Sequence, residues 1–221
     1  MYQSKSVNSN QDSVHDNLES TVLKHIACPY LKPFRDHNLD AFARLKNKIS
    51  ELAPKRLILD SCCGTAMSSL VLAEKHQDAL VVGVDQSGHR LNKSPEGRPH
   101  NCLLLQANCE DVWRLCVEEN IEFDAHYILY PNPWPKSTQM KRRWHGHAVF
   151  PVLKPLSQKT VLRSNWDVYL QEFAFAWKLL TGVKAEVNKK VVTEAMTLFE
   201  KKYVGSGQEV YELEVLSRDL G

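Results

Sequence analysis

The amino-acid sequence predicts an α/β fold in which a mostly parallel sheet is covered by helices on both faces. Short apolar runs, such as residues 80–85, alternate with longer segments that have helical periodicity. Apolar runs of this kind are typical of parallel strands that are buried on both faces. Two further runs, residues 184–192 and 209–216, have no predicted helix between them. They therefore indicate an antiparallel hairpin at one edge of the sheet.

Composition divides the chain into three parts. Residues 1–13 are rich in Ser, Asn and Gln and predict a disordered tail. Residues 14–53 contain two helical patterns separated by Pro29 and Pro33, which predict a helical extension that caps the rest of the chain. Residues 54–221 hold the alternating strands and helices and are expected to form one domain.

Within that domain, each expected element follows from a short run of residues. Apolar runs bounded by turn residues mark the first five strands, at residues 56–60, 80–85, 102–106, 123–130 and 160–164. Helical patterns mark helices at residues 67–76, 86–91, 109–120, 148–156 and 166–180. This alternation is the arrangement expected of consecutive βαβ units.

The charge and the cysteine content narrow the classes of function. The net charge is +2 over 221 residues, so contact with nucleic acid would have to use a local basic patch. The six cysteines form no C-x-x-C pair, which favours reduced thiols in an intracellular protein and gives no reason to expect a metal site. No apolar run reaches the length of a membrane span. We therefore expect a cytoplasmic protein, either a monomer or a homodimer.

Candidate ligand-binding residues follow three neighbouring strands, at the edge where parallel sheets bind ligands. Asp60 ends the first strand and precedes a small-residue loop, in which Gly64 lets a ligand approach the backbone. Asp85 ends the second strand, where a carboxylate can accept hydrogen bonds from ribose hydroxyls. Asn108 follows the third strand and would meet an adenine edge. The candidate cofactor-binding residues are Asp60, Cys62, Gly64, Asp85, Asn108 and Cys109.

The loop after the first strand narrows the choice of an adenosine-containing cofactor. It is not a G-x-x-x-x-G-K-[ST] phosphate loop, and residues 60–72 contain no Lys or Arg, which disfavours ATP. It also departs from G-x-G-x-x-G, which disfavours NAD. S-adenosylmethionine has a ribose and an adenine but no phosphate, and Asp60 could pair with its amino group. We therefore expect S-adenosylmethionine as the cofactor.

Residues 130–147 form a stiff, cationic and aromatic segment after the fourth predicted strand. The segment has three prolines, two tryptophans and four Lys or Arg, with no Asp or Glu. Prolines restrict its backbone, and its cations and aromatic rings suit binding to RNA. We expect Lys136, Arg142 and Arg143 to contact the RNA. The two histidines of the segment lack further ligands at regular spacing, so no zinc site is expected there.

Six short motifs together resemble the tRNA (guanine-N7) methyltransferases, in the same order and from about residue 54 to the C-terminus. They are DSCCG at 60–64, GVD at 83–85, PNPWPK at 131–136, KRR at 141–143, SNW at 164–166 with Tyr169, and TLFE at 197–200. The resemblance implies a Rossmann-like class I methyltransferase fold with a seven-stranded sheet. It also implies S-adenosylmethionine as the methyl donor and a guanine in the variable loop of tRNA as the acceptor.

The resemblance further implies roles for individual residues around the cofactor and the reacting base. Asp60 and Asp85 match the family's acidic cofactor contacts. Asn108 falls where an Asp or Asn of the family faces the adenine. Asn132 takes the place of the Asp in P-D-P-W, the residue usually regarded as catalytic.

Three more positions match the family's substrate side. Lys136 matches a substrate-binding Lys, and Asn165 takes the place of a substrate-binding Asp in T-D-W. Thr197 through Glu200 match the segment that closes over the guanine and the cofactor. We therefore expect Asn165, Thr197 and Glu200 to lie near the substrate.

Asn132 and Asn165 both carry an amide where the family has a carboxylate. Guanine N7 has an unprotonated lone pair, so methyl transfer needs no general base, only an in-line approach and recognition of the base. A carboxylate would accept hydrogen bonds from N1–H and N2–H and offset the positive charge that grows on the ring. An amide supplies no charge. These departures are compatible with a slower reaction or with a different acceptor.

Two other functions are open on the sequence alone. Residues 132–135, N-P-W-P, loosely resemble the N-P-P-[YFW] turn of enzymes that methylate exocyclic amines of nucleobases. The two amides and Cys62 in the cofactor loop would also fit an RNA-binding protein that keeps the fold without catalysis. The identity of the methylated nucleoside separates the first from guanine-N7 methylation, and cofactor binding tests the second.

Overall fold

The computed structural model describes residues 4–218, which form a seven-stranded sheet between layers of helices. In chain order the strands are β1 (Arg56–Ser61), β2 (Ala79–Asp85), β3 (Cys102–Gln106), β4 (Ala125–Leu129), β5 (Lys159–Ser164), β6 (Val187–Lys189) and β7 (Tyr211–Leu216). Their order across the sheet is β3-β2-β1-β4-β5-β7-β6. The first five strands are parallel, and β7 is antiparallel to both of its neighbours. The predicted fold class is confirmed.

Two helices precede the sheet, and the others connect successive strands. They are α1 (Leu18–Ala27), α2 (Asp36–Leu52), α3 (Met67–Lys75), α4 (Gly88–Leu91), α5 (Cys109–Glu118), α6 (Leu153–Leu156), α7 (Asp167–Thr181) and α8 (Leu198–Gly205). Short 3-10 helices lie between β4 and α6, at Ser137–Arg142, Trp144–Gly146 and Phe150–Val152. Within residues 4–218, no helix has the length and hydropathy needed to cross a membrane.

Alternate residues of each strand point into two separate apolar cores. On one face, Leu59 and Val82 pack in the larger core with Trp113 of α5 and Phe173 of α7. On the other face, Ile58 packs in a smaller core with side chains of α3. Each large buried aromatic side chain contributes about 4–6 kcal/mol of transfer free energy, before the conformational entropy of folding is subtracted. The sheet is therefore anchored most firmly on the face that carries α5 and α7.

The N-terminal helices belong to the larger core. Leu18 and Val22 of α1 and Phe42 and Leu45 of α2 are buried there together with the side chains of α5 and α7. The apolar residues whose periodicity predicts these helices thus form the face that packs on the sheet domain. The extension lies against the domain that it was expected to cap.

The predicted antiparallel edge is confirmed, but a helix lies within it. α8 connects β6 to β7, although the sequence analysis expects no helix between these strands. Leu198, Phe199 and Val204 of α8 are exposed, so apolar periodicity does not mark this helix. Its first turn is instead capped by the side chain of Thr197, which accepts a hydrogen bond from the Glu200 amide.

Residues 4–13 differ from the disordered tail that their composition predicts. They contain no helix or strand, yet they are hydrogen bonded to distant parts of the chain. The Ser4 amide donates to the Ser206 hydroxyl (2.9 Å), and the Ser9 hydroxyl donates to the Pro135 carbonyl (2.7 Å). Composition gives no sign of these contacts because they join polar groups. The first three residues of the predicted tail lie outside the described residues.

Candidate active site

A cavity of about 580 Å³ opens at the carboxyl ends of β1, β2 and β4. The strand order reverses between β1 and β4, and open parallel sheets bind ligands at such a switch point. The volume lies within the range of small-molecule sites, about 300–1,000 Å³. We call one side the sheet wall, formed by Asp60, residues 62–65, Asp85 and Cys109. We call the other side the loop wall, formed by Pro131, Asn132, Trp134, Lys141, Arg142 and α8.

Asp60 lies at the base of the sheet wall and is almost completely buried. The hydroxyls of Ser68 and Ser69 both donate to its Oδ2, each at 2.6 Å, while its Oδ1 has no hydrogen-bond partner. Burial raises the pKa of Asp60 to about 6, even though the two serines lower it. A buried carboxylate oxygen without a partner, on the wall of a cavity, fits a cationic group such as an amino group.

The loop after β1 turns sharply, with its backbone toward the cavity. Cys62, Gly64 and Ala66 all have positive φ, at 60°, 61° and 62°. This conformation costs about 1–2 kcal/mol for a residue other than glycine. A Cβ atom added at Gly64 would meet no heavy atom within 4 Å, so space is left beside the backbone for a ligand.

Asp85 joins this loop to the end of β2. Its Oδ2 accepts a hydrogen bond from the Gly64 amide (2.9 Å), and its Oδ1 accepts one from the Ser87 amide (2.8 Å). The guanidinium of Arg90 lies 3.1 Å from the same Oδ1. Each carboxylate oxygen can accept two hydrogen bonds, so Oδ2 retains one position for a hydroxyl donor.

Asn108 does not line the cavity but supports its margin. It precedes α5, and its amide donates to the side-chain carbonyl of Asn38 at 3.0 Å. Asn38 is completely buried and also donates to Asp111 at 2.6 Å. Asn38 thus ties α2 to the start of α5. No motif signals this residue, because its partner lies 70 positions away.

Cys109 lines the cavity beside Cys62, and their sulfur atoms are 3.8 Å apart. The hydrogen bond between the two thiols and burial raise the pKa of Cys109 well above its usual value. The thiol is therefore uncharged at neutral pH. It offers a polarisable, largely apolar surface against which a ring can pack.

Asn132 lies on the loop wall with its side chain exposed. Within the described residues, this side chain makes no hydrogen bond, so both its carbonyl and its amino group can meet a ligand. Tyr130, which precedes the loop, and Trp134, within it, have positive φ, at 54° and 45°. The backbone at this point is therefore sharply bent.

Cationic side chains line the same side of the cavity. Lys141 and Arg142 follow the loop, and Lys202 projects from α8. The guanidinium of Arg142 lies 4.8 Å from the ring centroid of Trp134, which orders this pair of side chains. No sequence pattern predicts the position of Lys202, because α8 has no apolar periodicity.

Thr197 lines the cavity, whereas Glu200 of the same motif is buried beneath α8. Glu200 accepts hydrogen bonds from the Tyr130 hydroxyl (2.7 Å), from Arg163 (2.9 Å) and from the Met196 amide (2.6 Å). All these contacts are internal. The structure thus places Glu200 as an anchor for α8, away from the substrate position that the resemblance implies.

Arg143 is also placed differently from its prediction. Its side chain is completely buried and lies against Glu172, with the ring of Trp166 4.9 Å from the guanidinium carbon. It donates to the carbonyl oxygens of Trp134 (3.0 and 3.1 Å) and Lys136 (3.3 Å). A buried guanidinium with these partners cannot reach an RNA phosphate.

Lys136 and Asn165 lie outside the cavity lining. The Lys136 side chain is exposed on the surface next to the loop wall. The Asn165 amide donates to the side-chain carbonyl of Gln208 at 2.8 Å, which fixes the turn after α8. Within the described part of the chain, no three His, Cys, Asp or Glu side chains cluster so that they could hold a metal ion.

Comparison with protein families and known sequences gives a consistent result. The model of the family described as "Putative methyltransferase" matches residues 54–213. The chain is 27% identical over 133 residues to a tRNA (guanine-N(7)-)-methyltransferase of Geobacillus sp. (strain WCH70), with 57% of this chain and 60% of that protein covered. It is 24% identical over 188 residues to one of Streptococcus pneumoniae (strain CGSP14), with 80% and 87% covered. The aligned part thus spans about three fifths of the Geobacillus relative.

Solved structures with a similar fold are also methyltransferases. One is an antibiotic-related methyltransferase, with a TM-score of 0.58, 13% identity, and 85% of this chain and 96% of that chain covered. Another is a 16S rRNA (adenine(1408)-N(1))-methyltransferase from Catenulisporales acidiphilia with cosubstrate S-adenosylmethionine, with a TM-score of 0.55, 16% identity, and 85% and 94% covered. At these identities the likeness concerns the fold. The family match and the two relatives described above confirm the predicted resemblance.

Proposed function

Because the chain belongs to the methyltransferase family whose model matches residues 54–213, we propose that it methylates RNA, with guanine N7 in tRNA as the acceptor. The proposal rests on one observation, that the sheet wall and the loop wall line the same cavity. The sheet wall presents a buried, unpartnered carboxylate oxygen of Asp60. The loop wall presents an exposed amide at Asn132 and a rim of cations. The similarity to the two tRNA (guanine-N(7)-)-methyltransferases described above supports the choice of acceptor.

S-adenosylmethionine is the cofactor that fits the sheet wall. When bound, it supplies an electrophilic methyl group. Asp60 Oδ1 is the acceptor for its amino group, and Asp85 Oδ2 retains one acceptor position for a ribose hydroxyl. Cys62 and Cys109 offer sulfur atoms to the ring of the adenine. No Lys or Arg side chain occupies residues 60–72, in agreement with a cofactor that has no phosphate.

Methylation of guanine N7 requires the loop wall mainly to position the base. Methyl transfer to N7 would form an N–C bond while the S–C bond of the cofactor breaks and leaves a neutral thioether. Because N7 carries no proton, no residue would have to remove one. The Asn132 carbonyl can accept a hydrogen bond from the base, and its amino group can donate one. Because the amide carries no charge, it offsets the positive charge that develops on the ring less well than a carboxylate would.

The cations of the loop wall are suited to hold RNA. Lys141, Arg142 and Lys202 surround the cavity mouth, and Lys136 is exposed nearby. The net charge of the whole chain is only +2, so this local concentration of positive charge is what distinguishes the face. We expect binding to RNA to weaken steeply as the salt concentration rises.

A methyl-transfer assay tests the proposed function. Purified protein is incubated with labelled S-adenosylmethionine and unmodified tRNA, and the product nucleosides are identified by mass spectrometry. We expect label in 7-methylguanosine. No label in tRNA, under conditions where an established family enzyme transfers it, would falsify the proposal. Calorimetry with S-adenosylmethionine then tests whether the chain is a non-catalytic RNA-binding relative. That role does not require the cofactor, so binding of S-adenosylmethionine would count against it.

Methylation of an exocyclic amine is the second candidate, and the free amide at Asn132 favours it. An amide carbonyl can accept a hydrogen bond from an amino group of a base, which is the contact such a reaction needs. The same assay separates the two acceptors, because N6-methyladenosine in place of 7-methylguanosine would establish this one.

A further inference from the structure

The loop at residues 131–135 has almost no hydrogen bonds of its own. Three of its five residues are prolines, which have no N–H group to donate. Within the described part of the chain, the hydrogen bonds of this loop come from two side chains. Arg143 donates to the Trp134 carbonyl at 3.0 and 3.1 Å, and Ser9 donates to the Pro135 carbonyl at 2.7 Å.

The conformation of the loop is one that needs such support. Trp134 has a φ of 45° and Tyr130 has a φ of 54°, both in the left-handed region. Bulky residues in this region cost about 1–3 kcal/mol each and persist only where the surroundings hold them. Release of the contacts behind the loop would therefore allow the backbone around Asn132 to relax.

Arg143 is itself held by a buried ion pair. Its guanidinium lies against the carboxylate of Glu172, which also accepts a hydrogen bond from the His145 ring at 2.8 Å. Burial alone would raise the pKa of Glu172, but His145 and Arg143 together lower it to about 2. Glu172 is therefore ionised at neutral pH, and it fixes the guanidinium that reaches the loop.

The N-terminal segment completes this ion pair. The side chain of Gln11 bridges the two charges: it accepts from Arg143 at 3.1 Å and donates to Glu172 at 2.5 Å. Ser9 contacts the loop directly at Pro135, and the Asn10 side-chain carbonyl accepts from the amide of Ser137, two residues after the loop, at 3.0 Å. Residues 9–11 therefore touch both the loop and the ion pair behind it.

We propose that Arg143, Glu172 and Gln11 are positioning residues that hold the loop at residues 131–135 in the geometry needed for methyl transfer. This inference rests on the proposed function and deepens it, because it assigns the N-terminal segment to the substrate side of the site. The three residues act on the substrate through the backbone of the loop and do not contact it. Misplacement of a reacting group by about 1 Å can lower a rate about a hundredfold. A more mobile loop should therefore lower the rate of methyl transfer measurably.

A pair of neighbouring variants tests the inference. Gln11→Ala removes the bridge to the ion pair, whereas Asp12→Ala, next to it, removes an exposed side chain whose hydrogen bond is to Ser13. We expect Gln11→Ala to lower kcat with RNA about tenfold, with the Kd of S-adenosylmethionine within twofold of wild type. Asp12→Ala should leave both quantities unchanged. Arg143→Lys keeps the charge next to Glu172 but loses the planar fork of donors, and it should behave like Gln11→Ala.

Hydrogen exchange at the amides that follow the loop gives a readout that needs no substrate. The Lys136 amide donates to the Gln139 side chain and the Ser137 amide donates to the Asn10 side chain, and we expect both to exchange faster in Gln11→Ala and in Arg143→Lys. Unchanged exchange and unchanged kcat in both variants would overturn the inference. So would a parallel loss of cofactor binding and turnover, since that indicates a general structural role. If wild type transfers no methyl group to RNA, the proposed function fails, while the exchange rates still decide whether Gln11 positions the loop.

Discussion

The sheet wall and the loop wall of the cavity are built by different means. The sheet wall is local in sequence, because Asp60, Gly64 and Asp85 belong to one βαβ unit and are linked through a single hydrogen-bonded loop. The loop wall is assembled from distant parts of the chain, and Gln11 meets a partner 161 positions away. The difference indicates that the fold itself provides the cofactor site, whereas the substrate site depends on contacts added around the fold.

The two walls also differ in how they carry charge. The sheet wall holds a carboxylate whose pKa is raised by burial and which lacks a partner on one oxygen. Behind the loop wall, Arg143 is buried and paired with Glu172, and Arg163 with Glu200, whereas Lys141, Arg142 and Lys202 at the rim are exposed. The unpartnered carboxylate oxygen of Asp60 thus lies where a ligand can neutralise it, and the buried ion pairs support the structure around the site.

Glu200→Gln should have the largest effect on stability. It removes the buried negative charge that pairs with Arg163. We expect the free energy of unfolding to fall by about 3 kcal/mol, which corresponds to a fall in Tm of about 6–12 °C. Thermal unfolding measures this loss. The exposed pair of Glu209 with Lys189 supplies the control, because Glu209→Gln should leave Tm unchanged. A normal Tm with loss of RNA methylation would instead mean that Glu200 contacts the substrate.

Asp60→Asn should weaken binding of S-adenosylmethionine about a hundredfold, since it removes the charge that pairs with the amino group. The same change should raise the stability of the free protein above pH 6. The raised pKa of Asp60 means that its ionised form is disfavoured by folding, so this group's contribution to stability is lost as the pH rises through about 6. Calorimetry and thermal unfolding at pH 8 check both effects. Unchanged affinity would remove Asp60 from the cofactor site.

The affinity for S-adenosylmethionine should also depend on pH through Asp60. Its pKa of about 6 in the free protein implies that the carboxyl is mostly ionised at pH 7.5 and mostly protonated at pH 5. We therefore expect affinity to fall about tenfold between these two values, as the proton competes with the cationic ligand. Calorimetry at both pH values measures the change. Asp60→Asn should abolish this dependence; a dependence that persists in the variant would assign it to another group.

Asn132→Asp should have the smallest effect and the opposite sign. Replacement of a neutral acceptor by a charged one adds about 1 kcal/mol of interaction with the developing charge, or about a fivefold gain in the rate of guanine-N7 methylation. Turnover on tRNA measures it. Asn165→Asp is the matched control, because Asn165 contacts Gln208 outside the cavity lining and should give no gain. An unchanged or lower rate for Asn132→Asp would count against the placement of this side chain beside the base.

The sequence predicts the sheet wall better than the loop wall, and the reason is physical. Strand periodicity and the small-residue loop are local signals, so Asp60, Gly64 and Asp85 are found where the sequence expects them. The charge of Arg143 is equally visible in the sequence, but its burial depends on Glu172, 29 residues further on. The same holds for Glu200 of α8, whose partner Arg163 lies on β5. Long-range pairing of charges leaves no local pattern, and hydrogen bonds of a polar tail leave none either.

The most direct test of the account is a paired measurement of cofactor affinity and methyl transfer in two variants, one from each wall. Asp60→Asn alters the sheet wall, and Asn132→Ala alters the loop wall. The account predicts that Asp60→Asn loses affinity for S-adenosylmethionine, whereas Asn132→Ala binds it as wild type does and loses transfer to RNA. Loss of cofactor affinity in Asn132→Ala, or normal affinity in Asp60→Asn, would contradict the division of the cavity into a cofactor side and a substrate side.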